Sequence, residues 1–209
     1  MSSISPNSGS PVAGSVRAIG LVAGVGGHRT APLDLTVDGS GITALVGPSG
    51  VGKTTVLRTL AGLLAPVDGT VEFQPTAPTL CFQQAGLLRW RTALENVTFG
   101  LGRRAAPSDV DRARSVLDRL DLGALVDRRP GALSGGQQRR VAIARSMLAA
   151  RSVLLVDEPF AHLDEDTGDL VVSALRHLVD EGIAVGVAVH TEEEAGRIAE
   201  TTVPVALPC

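Results

Sequence analysis

GPSGVGKTT, Gly47 to Thr55, contains the only lysine of a 209-residue chain whose other basic side chains, histidine aside, are arginines. In a sequence so rich in arginine a surface lysine can be exchanged at little cost, so the one that stays marks a place where a planar guanidinium does not fit. Gly47, Gly52, Lys53 and Thr54 fall at the spacing of a phosphate-binding loop. The flanks agree: ITALV, residues 42–46, reads as a buried strand, and VLRTLAGLL, Val56 to Leu64, has helical apolar spacing. In such a loop the glycines let backbone N–H groups converge on phosphate oxygens and the following helix adds its positive end. Lys53 then reaches the terminal phosphates and Thr54 offers a hydroxyl to Mg²⁺. The loop indicates a nucleotide without saying which.

The hydrophobic fraction of 44% supports a substantial core, and the net charge of −3 argues against a general nucleic-acid binder. Every apolar run is too short to span a bilayer, including IAVGVAV before His190, so work at a membrane requires a partner. The opening MSSISPNSGSPVAGS is rich in Ser, Pro and Gly and has no basic and apolar blocks of a signal peptide; residues 1–15 are expected to form a disordered tail, and 207–209 a short C-terminal one. Cys81 and Cys209 make neither a disulfide framework nor a metal site, which points to a reducing cytoplasm.

Strands are expected at Val16–Ala23, Thr70–Phe73 and Thr79–Phe82, and Ser108 is expected to cap a helix ending at Leu120. After them ALSGGQQRRVAIARSMLAA opens on glycines and continues as an amphipathic helix, followed by the strand SVLLVDEPF. The last third alternates: helix Thr167–Asp180, strand Ile183–Val189, helix Glu192–Ala199, strand Thr202–Ala206. Strands alternating with helices predict an α/β fold around a mainly parallel sheet, with a helical insertion over about residues 88–132.

An Asp-Glu pair alone more often marks a solvated strand end. Here the apolar residues before Asp157 and Glu158 bury the strand, so Asp157 is placed to hold Mg²⁺ with Thr54, and Glu158 to polarise an attacking water. A lone histidine is more often structural, but His190 follows a strand where a side chain could reach a terminal phosphate, and Thr191 can cap the next helix. Glu192, Glu193 and Glu194 read as first-turn acids that suit the helix dipole. Ser134, Gly135 and Gly136 open a second helix whose N-terminus suits an anion.

In order, GPSGVGKTT, CFQQ with Gln83, LSGGQ (Leu133 to Gln137), LLVDEPF and VAVHT resemble the motifs of the ATP-binding-cassette ATPases, over nearly all of residues 16–206. The resemblance implies a P-loop NTPase with a small antiparallel β-subdomain that hydrolyses ATP with Mg²⁺. It assigns nucleotide binding to Gly47, Pro48, Ser49, Gly50, Val51, Gly52, Lys53, Thr54 and Thr55, and to Ser134, Gly135, Gly136, Gln137 and Asp164 acting across a head-to-tail homodimer. AHLD, Ala161 to Asp164, resembles the loop that crosses that interface. Glu158, His190 and Gln83 are implied in catalysis, and Thr54, Gln83 and Asp157 at the metal.

The family usually stacks adenine on an aromatic residue ahead of the P-loop, whereas no Phe, Tyr or Trp precedes Phe73 here. Val25 or His28 falls near that place, which implies weaker base affinity and selectivity. AGLLRWRTALENVTFGL, residues 85–101, resembles importer ATPases of the nitrate, sulfonate and taurine group. Leu87, Leu88 and Trp90 are there either contacts for a short helix of a membrane subunit or packing for the helical insertion. This reading implies integral-membrane permease subunits, an extracytoplasmic solute-binding protein, a place on the cytoplasmic face of the membrane and no direct nucleic-acid partner. The alternative is a soluble, non-transport cassette ATPase in a regulatory, nucleic-acid or translation role.

Overall fold

The computed structural model describes residues 14–102 and 104–208; Cys209 and all but the end of the expected N-terminal tail lie outside them. The chain runs β1 (Ser15–Val22), a hairpin of β2 (Gly24–Val25) and β3 (His28–Arg29), β4 (Leu33–Val37), β5 (Ile42–Val46), α1 (Lys53–Leu60), β6 (Asp68–Gln74) and β7 (Thr79–Cys81). There follow α2 (Ala93–Phe99), α3 (Pro107–Arg119), two 3₁₀ turns (Gly123–Leu125 and Pro130–Ala132), α4 (Gly135–Ala149), β8 (Val153–Asp157), α5 (Glu165–Asp180), β9 (Ala184–Val189), α6 (Glu192–Ile198) and β10 (Thr201–Pro204).

β5, β8 and β9 are buried at every residue, as expected of parallel strands covered on both faces. They form a five-stranded parallel sheet in the order β10-β5-β9-β8-β7. Alternate side chains feed two cores. Ile42, Ala44, Val46, Leu154, Val156, Val185, Val187 and Val189 share one with residues of α2, α3, α4, α5 and α6. Leu45, Val153, Leu155, Ala184 and Ala188 share the other with α1 and with the antiparallel sheet β4-β1-β6. Each such Leu or Val contributes about 1.5–3 kcal/mol of burial, so the strand ends that carry the site are anchored from both sides.

Two expectations are corrected. α3 is not capped by Ser108: Ala106 is its N-cap, Pro107 fills the first turn, where a missing N–H costs nothing, and the Asp109 carboxylate accepts from the Ala106 N–H at 2.8 Å. The helix after the P-loop stops at Leu60, short of Leu64, because Gly62 turns left-handed at φ 72° and donates to the Thr59 carbonyl at 3.0 Å. β4 is an addition; its LDLTV alternates buried and exposed residues as one face of the antiparallel sheet.

Candidate active site

The loop between β5 and α1 turns at Gly52, whose φ of 108° suits glycine and whose missing side chain leaves room for the Thr30 methyl, 2.8 Å from where a Cβ would stand. Thr30 also ties the β2-β3 hairpin: its N–H donates to the Ala23 carbonyl at 2.9 Å and its hydroxyl accepts from the Ala23 N–H at 3.0 Å. Lys53 is buried, and its Nζ curls back to donate to the carbonyls of Gly47 at 2.5 Å and Pro48 at 3.0 Å. Burial lowers its pKa, against the pull of Glu158, Asp157 and Glu194. A compact ammonium meets both carbonyls from one nitrogen, a geometry that the wider, planar guanidinium does not reproduce.

Three strand ends meet the loop. From β8, Asp157 accepts the Thr54 hydroxyl on Oδ2 at 2.8 Å, while its Oδ1 is buried with no hydrogen-bond partner. Burial is the largest influence on this carboxyl and raises its pKa. Glu158 sits beside it in a left-handed conformation, φ 51°, a strain that persists only where surrounding contacts fix it. After β7, Gln83 Nε2 donates to Glu158 Oε2 at 2.6 Å. After β9, His190 Nε2 lies 2.9 Å from Glu158 Oε1, and its Nδ1 lies 3.4 Å from Ser49 Oγ in the P-loop. Thr191 caps α6 by accepting from the Glu194 N–H at 3.1 Å, and Glu194 returns the contact by accepting from the His190 N–H at 2.7 Å. Gln83, Glu158 and His190 thus form one hydrogen-bonded group beside the phosphate loop, with Asp157 and Thr54 next to it.

The donors suit a hard cation. An orphaned carboxylate oxygen next to a threonine hydroxyl is an oxygen set that Mg²⁺ can share with phosphates and water. No cluster of three His, Cys, Asp or Glu suited to a metal occurs among the described residues.

The other expected residues lie together but apart from this group. Ser134 and Gln137 close a capping box at the start of α4, with the Gln137 N–H donating to Ser134 Oγ at 3.2 Å and the Ser134 N–H to Gln137 Oε1 at 2.9 Å. A Cβ on Gly136 would come within 3.1 Å of the His162 carbonyl, so this helix start packs on the loop from Ala161 to Asp164. Asp164 caps α5 through the Thr167 N–H at 2.9 Å, and hydrogen bonding from the Thr167 side chain, then from its N–H, lowers the Asp164 pKa. Among the described residues no hydrogen bond joins Ser134, Gln137 or Asp164 to Lys53, Thr54 or Asp157. Val25 is 53% exposed and His28 is exposed in the hairpin.

In the stretch after Gln83, Leu87 packs on the core while Trp90 is 69% exposed, so packing accounts for the first and not the second. Fully buried Asn96 pins the loop before it, accepting from the Leu88 N–H at 2.8 Å and donating to the carbonyls of Leu88, Arg91 and Thr92 at 3.1, 3.2 and 2.9 Å. A groove of about 720 Å³ opens there, lined by Ala85, Leu87, Arg89, Arg129 and Gln138 among others. Arg139, which the sequence reading did not single out, is buried and reaches both Gln83 and Glu158 through their carbonyls.

A glycine loop between a parallel strand and a helix, with an acidic pair at the end of a strand one place removed in the sheet, defines a P-loop nucleotide-binding fold. The sequence profile of the ABC transporter family matches residues 30–161, and the chain belongs to that family as an ATP-binding domain. It is 39% identical over 196 residues to a sulfate/thiosulfate import ATP-binding protein of Rhizobium meliloti, covering 85% of this chain and 56% of that protein. It is 37% identical over 193 residues to a thiamine import ATP-binding protein of Cereibacter sphaeroides, covering 86% and 84%. To an aliphatic sulfonates import ATP-binding protein of Corynebacterium glutamicum it is 39% identical over 169 residues, covering 73% and 69%. The dimeric structure of MJ0796, a bacterial ABC transporter cassette, superposes with a TM-score of 0.79 at 28% identity, covering 91% of this chain and 94% of the other. No helix among the described residues is long and apolar enough to cross a membrane.

Proposed function

We propose that this chain is the ATP-hydrolysing subunit of a membrane importer for a small solute, dimerising on ATP and driving a permease. The observation that carries the hydrolysis is the grouping of Gln83, Glu158 and His190 around the P-loop, with Glu158 bonded to both neighbours. Glu158 is the base that takes the proton of the attacking water; Gln83 and His190 hold its two oxygens and orient that water toward the terminal phosphate. Lys53 leaves the carbonyls of Gly47 and Pro48 to meet phosphate oxygens, alongside the amides of Ser49, Gly50, Val51, Gly52, Thr54 and Thr55. Thr54 and Asp157, with Gln83 at the edge of the set, would hold Mg²⁺, which neutralises charge on the phosphates as they separate.

Ser134, Gly135, Gly136 and Gln137 form a second helix start suited to phosphate, and Asp164 caps the neighbouring helix at the loop on which it packs. In a head-to-tail homodimer this start of one subunit closes over the nucleotide of the other, so ATP joins the subunits and hydrolysis releases them. The groove lined by Leu87 and Arg89, in the same loop as exposed Trp90, is of a size to take a short helix of a permease. The importers among the relatives support this direction of transport, a place at the cytoplasmic face of the membrane and an extracytoplasmic solute-binding protein as a further component. In domain terms, residues 16–206 act as the ATPase unit, with about 88–132 as its helical insertion.

Affinity purification of the tagged chain from detergent-solubilised native membranes tests this reading. Recovery of a polytopic permease is the expected result. The chain found in the soluble fraction alone, with ribosomal or nucleic-acid partners, contradicts it.

A further inference from the structure

Two arginines of α4 grip the segment that follows β7. Arg139, 3% exposed, divides its guanidinium between the ends of two strands, β7 and β8. Nη1 donates to the carbonyls of Phe82 and, at 3.2 Å, Gln83; Nη2 donates to those of Asp157 and, at 3.1 Å, Glu158. Further along the helix Arg145 donates to the Gly86 carbonyl at 2.9 Å and the Ala85 carbonyl at 2.8 Å. The segment from Phe82 to Gly86 belongs to no helix or strand, and α4 holds four of its carbonyls through these two side chains.

We infer that Arg139 is a positioning residue for hydrolysis: it fixes Gln83 against Glu158 and ties both to the helix that begins at Ser134, with Arg145 extending the grip to the wall of the groove. The inference rests on the proposed hydrolysis at Glu158. Its physical basis is the guanidinium itself, a flat fork whose two nitrogens serve four carbonyls on two backbones, more than the three N–H groups of one ammonium nitrogen can reach. The left-handed Glu158 is held at its N–H by the Ala188 carbonyl, 3.0 Å away, and at its own carbonyl by Arg139, so its side chain is aimed by contacts on both sides of the residue. The 2.6 Å contact between Gln83 and Glu158 is then a consequence of two backbones gripped by one side chain. When the start of α4 moves over a partner's nucleotide, or the groove wall moves with a permease helix, these bonds carry the movement to Glu158, where a free loop would absorb it.

The test uses the full chain as wild type, Arg139→Lys, Gln83→Ala, the double variant and Arg145→Lys, each measured for kcat and KM with Mg·ATP, for ADP affinity and for thermal unfolding. Misplacement of catalytic groups by about 1 Å can cost about 100-fold. Arg139→Lys is accordingly expected to lower kcat at least about tenfold, with KM and the ADP Kd moving less than about threefold. The double variant is expected to lose much less than the product of the two single losses, because Arg139 acts through Gln83 and Glu158. Arg145→Lys, at a half-buried site, is expected to lower kcat about threefold at unchanged KM, and it carries the test if Arg139→Lys does not fold. An unchanged kcat in whichever variant folds overturns the inference, as do losses that multiply in the double variant, or kcat, KM and ADP affinity failing together. Wild type that releases no phosphate from ATP overturns the proposed function and this inference with it, whereas active wild type with unaffected variants overturns the inference alone.

Discussion

Asp157→Asn separates what the site costs from what it does. The Asp157 side chain is 2% exposed, with Oδ2 bonded to Thr54 and Oδ1 bonded to nothing. A buried polar atom without a partner costs about 1–3 kcal/mol. Asn keeps a polar atom at the Oδ1 position, so that cost stays; what the variant removes is the buried charge, together with the opposing field of Glu158 and the favourable fields of Arg139 and Lys53. The ligand-free variant is therefore expected to be about 1 kcal/mol more stable than wild type at pH 7.5, a rise of about 2–4 °C in Tm for a chain of this size. The pH dependence has a definite sign. Burial raises the Asp157 pKa, so the folded state holds this proton more tightly than the unfolded state, and wild-type stability falls as pH climbs from the ordinary aspartate value through the raised one. The advantage of the variant must then shrink at pH 4.5, where the wild-type carboxyl is itself closer to neutral. Thermal unfolding followed by circular dichroism at both pH values, without Mg²⁺ or nucleotide, reads these differences. Adding Mg·ATP at about 100 times its Kd should stabilise wild type by about 2.7 kcal/mol and the variant much less, reversing the order. A variant less stable than wild type at pH 7.5, or an advantage equal at both pH values, would refute the reasoning.

Further outcomes follow from other parts of the site. Ser134→Ala removes the acceptor for the Gln137 N–H and should cost about 1 kcal/mol of stability; it should also weaken ATP-driven dimerisation, read by light scattering, while leaving ADP affinity of the single chain unchanged. Val25→Tyr supplies a ring at an exposed hairpin position and should tighten ATP binding at least about fivefold in calorimetry, since stacking on a base is worth about 1–3 kcal/mol; equal affinity would place the base elsewhere.

The P-loop was legible because its geometry depends on glycine and on a strand and helix in sequence around it. β5, β8 and β9 were legible because strands covered on both faces must be apolar throughout. β4 was harder: five alternating residues give half the apolar signal of a doubly covered strand. The cap of α3 was misplaced because Ser108 looks like a capping residue, while the observed device uses Pro107 and a carboxylate reaching back to Ala106. Arg139 gave no signal at all. In GGQQRRVAIARSMLA a buried arginine and an exposed one look alike, and its partners are backbone carbonyls distant in sequence, which carry no side-chain identity to read. The contacts of Glu158 with Gln83 and His190 likewise depend on β7, β8 and β9 lying in one parallel sheet, a fact of topology that motif order alone does not supply.

The central claim is that Glu158 serves as the base for ATP hydrolysis at this P-loop, and the direct measurement is phosphate release from Mg·ATP by the purified chain beside its Glu158→Gln variant, with ATP binding measured on both. The account predicts that the variant binds ATP as wild type does while turnover falls by about 100-fold or more. Turnover by the variant equal to that of wild type would contradict it and remove Glu158 from its role.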